Sequence, residues 1–175
     1  MSLADELLER AERLAEADPT RPRQVNLRGA VHSAYYALFH RLIEEGVSAV
    51  VGGDTTLRNS MSRWYAHGRM KDVSNWFRGV TAPREIVGLL GIASTMPTGI
   101  VPVELVRVAT AFVELQEARH RADYDVGARF TRVEARERVK AARRAFADWK
   151  TVRGLPCARL YLLLLLTGKE PVQSR

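Results

Sequence analysis

A single cysteine, Cys157, stands in 175 residues. A lone thiol cannot close an internal disulfide, so no covalent framework is expected and nothing ties the chain to an oxidising compartment. Long apolar runs are missing: the longest, 160–166, falls far short of the ~20 residues that span a bilayer. The opening stretch MSLADELLERAERLAE is acidic and amphipathic. It lacks the basic region and apolar core of a secretory signal, so a cytoplasmic protein with no membrane partner is expected. Paired cysteines, HExxH and acidic clusters at ligand spacing are missing, and no metal is expected. Gly52-Gly53 is followed by no GKS or GKT, so it is not a phosphate loop, and Ser33 and Ser94 lack nucleophile-elbow surroundings. No cofactor is expected. Repeats, low-complexity linkers and strand-like alternation of useful length are also missing; 47–51 is rich in valine but short and hemmed in by glycines.

What is present is helical periodicity with clear punctuation. Leu3, Leu7, Ala11 and Leu14 share one face of a helix over 3–17, which Asp18-Pro19 ends. Leu27, Val31, Ala34, Leu38 and Leu42 stripe a second helix over 23–45 that stops at Gly46. Beside the stripe, Arg28, His32, Tyr36 and His40 recur every fourth residue, a row that drifts slowly and borders the core. Asp54 suits the N-cap of a helix over 55–66, His67-Gly68 suggests a break, and 69–77 a further short helix. Glycines and prolines fill 79–102, with one short helix expected near 85–90. A helix from Pro102 or Val103 to Asp125 is apolar over most of its circumference, which predicts burial. Thr131-Arg132-Val133-Glu134 has the form of a capping box opening a helix to Val152. Residues 158–167 form a last short helix or apolar tail whose six leucines must pack on the body or on another subunit. The economical fold is all-α: an antiparallel four- to five-helix bundle with extra short helices.

Charge is distributed unevenly. The net charge is +7, and residues 119–159, with 12 basic and 5 acidic side chains, carry all of it. Arg132, Arg136, Lys140, Arg143 and Arg144 recur along one helix. They read either as a solvated face partly neutralised by Glu134 and Glu137, or as a row of phosphate-binding groups. Nothing there reads bases, so any nucleic-acid binding should be salt-sensitive and weakly sequence-specific.

Two stretches, RGAVHSAYYALFH at 28–40 and EARHRADYD at 117–125, resemble the HEPN domain family (higher eukaryotes and prokaryotes nucleotide-binding). Members carry an AYYALFH-like stretch on an early helix and an arginine followed by an ADY-like triplet at the end of a later one. The resemblance implies a four- or five-helix antiparallel bundle that often dimerises; the turn signals at Gly154 and Pro156 bound that single domain to 1–153 and leave 154–175 as an apolar extension packed on the body or a partner. Many members are metal-independent ribonucleases of toxin–antitoxin, abortive-infection and CRISPR-linked systems; others bind RNA or nucleotides without cutting. The partners so implied are RNA or a nucleotide, a second copy of the chain, and an antitoxin-like protein. The family's active motif is an arginine followed within two turns by a histidine. Arg119 takes the arginine's place here, and Asp123 and Tyr124 stand where the histidine would follow.

Metal-free RNA cleavage needs a base for the 2′-hydroxyl proton, an acid for the leaving oxygen and a cation for the charged phosphorane. Arg119 and Arg121 can hold phosphate. Asp123 lies one turn from Arg119, which predicts either a helix-end ion pair or part of a working site, with Tyr124 beside it. His40 or His32 would restore a histidine–arginine pair if the second helix packs against the fourth. The candidate catalytic residues are therefore Arg119, Arg121, Asp123, Tyr124 and His40. The candidate nucleic-acid row is Arg132, Arg136, Lys140, Arg143 and Arg144. The enzyme reading is a metal-independent endoribonuclease with a non-standard site around Arg119, and the alternative is an inactive module that pairs with RNA or another protein.

Overall fold

The computed structural model describes residues 1–51, 54–78 and 101–167. These residues form seven helices: α1 (Leu3–Glu16), α2 (Gln24–Val51), α3 (Thr55–Ser62), α4 (His67–Phe77), α5 (Val103–Tyr124), α6 (Arg132–Val152) and α7 (Pro156–Thr167). No strand occurs among the described residues. The short helix expected near 85–90 lies outside them. No helix among the described residues is long and apolar enough to cross a membrane.

The chain divides into two compact units, Met1–Arg41 with Ala111–Ala147, and Leu42–Thr110 with Asp148–Arg175. The first unit is an antiparallel four-helix bundle. Arg41 of α2 pairs with Asp5 near the start of α1, while Leu14 near the end of α1 covers Gly29. Arg28 reaches Ala122 at the end of α5, and Tyr35 packs on Phe112 two turns or more earlier, with ring centroids 5.7 Å apart. Arg138 of α6 pairs with Glu114, and Arg121 with Glu134. In each pairing, ascending numbers on one helix meet descending numbers on the other.

Local chemistry sets the helix ends. Ser2 and Asp5 cap α1 reciprocally: Ser2 N donates to Asp5 Oδ2 at 3.2 Å, and Asp5 N to Ser2 Oγ at 3.4 Å. The expected capping box of α6 is present: Thr131 N donates to Glu134 Oε2 at 2.7 Å, and Glu134 N to Thr131 Oγ1 at 3.1 Å. The Thr131 backbone and hydroxyl, with Arg121, hold the Glu134 carboxyl below the usual glutamate range. Asp54 caps α3 as expected, accepting from Leu57 N at 2.9 Å, though the helix ends at Ser62.

Three details differ from the sequence expectation. The buried face of α1 is Ala4, Leu8, Ala11 and Ala15, one residue round from the leucine stripe, and Leu3 is exposed. Small alanines form the contact strip while Leu14 reaches sideways over Gly29. Helix α2 runs through Gly46 to Val51. Gly46 is a packing residue, since a Cβ there would collide with the Tyr65 hydroxyl. His67 and Gly68 form the first turn of α4 instead of a break.

In the second unit the leucine-rich segment folds as α7 and lies on α4. Tyr161 is fully buried, its hydroxyl 2.8 Å from Ser74 Oγ and its ring 5.0 Å from that of Phe77. Arg107 makes a two-pronged contact with the largely buried Asp148, Nε to Oδ2 at 2.8 Å and Nη2 to Oδ1 at 2.7 Å.

Candidate functional site

In the first unit Arg28, His32 and Tyr36, three of the four residues of the α2 row, lie beside the last turns of α5. The four-residue spacing keeps them on one slowly turning line, antiparallel to Arg119, Asp123 and the turn beyond Tyr124. Arg28 closes the end of α5. Its guanidinium donates to four carbonyls: Ala122 at 3.0 Å, Asp125 at 2.8 Å, Val126 at 3.2 Å and Ala128 at 2.6 Å. The first lies in the last turn of α5, whose carbonyls lack helical donors, and the other three in the turn that follows; a cation also suits the negative end of the helix dipole.

One turn along α2, His32 Nδ1 lies 3.0 Å from Asp123 Oδ1. The other carboxylate oxygen, Oδ2, lies 2.6 Å from Arg119 Nε; the pair is ionic, off the axis of an aligned hydrogen bond. Arg119 Nη2 donates to Tyr36 Oη at 2.9 Å. Its guanidinium carbon stands 5.4 Å from the Tyr36 ring centroid and 5.3 Å from that of Tyr124. Burial works against the charge on Arg119, but Tyr36, Asp123 and Tyr124 outweigh it and raise its pKa. The Arg119 side chain is mostly buried, at 16% exposure, whereas that of His32 is 44% exposed. Behind the cluster, Tyr35 is wholly buried. Desolvation, with Tyr36, pushes its phenol pKa upward despite Arg119.

The candidate residues therefore separate. Arg119, Asp123 and Tyr124 belong to one cluster. Arg121 turns elsewhere: its guanidinium lies over Phe130 at 4.4 Å and 3.4 Å from Glu134, beside a recess of about 370 Å³ that Glu114 and Arg138 also line. His40 sits two turns beyond His32, its ring 5.4 Å from Phe39 and 6.2 Å from Tyr36. The histidine brought to the carboxylate is His32. Together with Tyr36 it is what the candidate set left out, although the four-residue row on α2 was its visible signal.

Most of the basic row on α6 is already engaged within the same unit. Arg132 donates to the backbone carbonyls of Ala17 and Asp18 at the end of α1. Arg136 pairs with Glu16, Arg143 with Glu12 and Lys140 with Glu137. The neutralising carboxylates Glu12 and Glu16 come from α1. Glu134, expected to share that task, is occupied by Thr131 and Arg121.

The cluster can handle protons. A carboxylate beside Nδ1 favours the imidazole tautomer protonated there, leaving a lone pair on Nε2. Among the described residues no group of three or more His, Cys, Asp or Glu side chains could hold a metal ion. No protein-family model, curated protein or solved structure matches the chain.

Proposed function

We propose that this chain is a HEPN-like, RNA-associated protein of bacterial defence or toxin–antitoxin type, and that the cluster at the end of α5 cleaves RNA without metal. The observation that carries the reading is the Asp123-anchored His32 beside Arg119. His32 Nε2 takes the proton of a ribose 2′-hydroxyl. That oxygen attacks the adjacent phosphorus, and the bond from phosphorus to the 5′-oxygen breaks. The leaving oxygen regains a proton from the imidazolium, giving a cyclic phosphate and a free 5′-hydroxyl. Arg119 supplies positive charge where the phosphorane forms. A homodimer and an antitoxin-like partner belong to the same reading, by the family resemblance of 28–40 and 117–125.

One observation favours a second reading, a module that binds RNA without cutting. Arg119 is already held by Asp123 and Tyr36, which leaves it less free to grip phosphate. Incubating the pure protein with mixed cellular RNA in chelator, beside Arg119→Ala, separates the two. Cleavage by the parent and none by the folded variant supports the ribonuclease. Intact RNA in both removes it, and salt-dependent retention of RNA then selects the binding module.

A further inference from the structure

The last residue of α5 is Tyr124, and 63% of it is exposed. A large ring left in solvent at a helix end contributes little to a core. This ring is nonetheless held in place. The Arg119 guanidinium lies 5.3 Å from its centroid, and the His120 ring, one turn earlier and also exposed, stands 4.9 Å away at 48°. The turn that follows, Asp125–Ala128, is fixed by the Arg28 clamp and by the Asp125 carboxylate, which accepts from Gly127 N at 2.9 Å and Ala128 N at 3.1 Å. The result is a pair of aromatic rings on an immobilised helix end, next in sequence to the carboxylate that orients His32.

We infer that Tyr124, with His120, is a stacking platform for an unpaired nucleobase, so that the substrate class is single-stranded RNA. This rests on the RNA reading above and goes beyond it. A base laid on Tyr124 brings its ribose and phosphate toward Arg119 and His32, because Arg119 touches both the Tyr124 ring and the Asp123 carboxylate. Bases in an A-form duplex are stacked on each other and turned inward, so an exposed ring cannot reach their faces; splayed bases of loops and single strands are free to stack on aromatic side chains. Stacking of this kind is tolerant of base identity, because every base has a π-face.

The test compares one RNA oligonucleotide, single-stranded and annealed to its complement, for binding and cleavage in chelator. The proteins are the parent, Tyr124→Ala and Tyr124→Phe, with helicity checked by circular dichroism. The parent should prefer the single strand. Tyr124→Ala should weaken single-strand binding about tenfold, the scale of one lost stack, and Tyr124→Phe, which keeps the ring, should restore it. Equal action on both forms, no loss in Tyr124→Ala, or equal loss in both variants would overturn the platform while leaving the RNA reading intact. Equal loss would mark the hydroxyl as the working group. A parent that neither binds nor cuts either form would remove the RNA reading and this inference together.

Discussion

The carboxylate of Asp123 joins an imidazole to a guanidinium: His32 Nδ1 lies 3.0 Å from one oxygen and Arg119 Nε 2.6 Å from the other. One carboxylate thus fixes the imidazole and the guanidinium relative to each other. All three groups come from helices that run antiparallel within one unit, so the geometry depends on helix packing and not on a loop.

If His32 is the proton carrier, its removal should act on turnover and spare binding. His32→Ala is expected to lower kcat for RNA cleavage about 10²- to 10⁴-fold with little change in KM. Asp123→Asn should show a smaller loss of the same kind, since an amide can favour the wrong tautomer. Steady-state rates on a short oligonucleotide in chelator check this. An unchanged kcat in His32→Ala assigns the histidine a purely structural place.

Arg28 is expected to matter for stability. It donates to the carbonyl of Ala122 in the last turn of α5 and to those of Asp125, Val126 and Ala128 just beyond it. Arg28→Ala should destabilise the protein by about 2 kcal/mol, the scale of hydrogen bonds from a charged donor whose acceptors lose their partner. Arg28→Lys should recover little, because an ammonium cannot span the same acceptors as a planar fork. Urea unfolding of the three proteins measures both. A lysine variant as stable as the parent would show that charge at the helix end, and not the fork, is what counts.

The helices were legible because each carries its own period and caps: the Ser2–Asp5 and Thr131–Glu134 boxes sit where their sequence places them. Gly46 misled because a glycine that ends a helix and one that makes room for a neighbour look alike until Tyr65, nineteen residues away in sequence, is seen above it. The site was half legible. The Arg119–Asp123 pair follows from spacing on one helix. The join to His32 and Tyr36 depends on which turn of α2 meets which turn of α5, and that register is set by packing such as Tyr35 on Phe112. The acidic partners of the basic row were hidden for the same reason, since Glu12 and Glu16 belong to another helix.

Those two carboxylates predict a latent nucleic-acid surface. Glu12→Gln with Glu16→Gln would release Arg136 and Arg143 without disturbing the buried face of α1, which is Ala4, Leu8, Ala11 and Ala15. The double variant should bind single-stranded RNA more tightly at low salt. The slope of log affinity against log salt should steepen by about 0.7 for each phosphate newly neutralised. Filter binding across a salt series reads the slope. A slope equal to the parent's would mean that the released Arg136 and Arg143 make no phosphate contact.

The alkaline limit of stability should be set by tyrosine. Burial raises the phenol pKa of Tyr65 to about 12, and desolvation likewise raises those of Tyr35 and Tyr161 from the ordinary 10.0. A proton held more tightly in the folded state than in the unfolded one stabilises the fold fully below pH 10.0. That contribution is lost as pH rises from there through the folded value. Three of the five tyrosines should therefore ionise only as helicity disappears, which near-ultraviolet phenolate absorbance and circular dichroism followed together will show. Tyr65→Phe isolates one of them. The Tyr65 hydroxyl is buried without a hydrogen-bond partner, so its removal should cost little at neutral pH, and removing an unsatisfied group can even stabilise. The variant should then lose less stability than the parent between pH 10 and about 12. Phenolate absorbance that rises fully while helicity is unchanged would place all five rings within reach of solvent and overturn the burial that this prediction rests on.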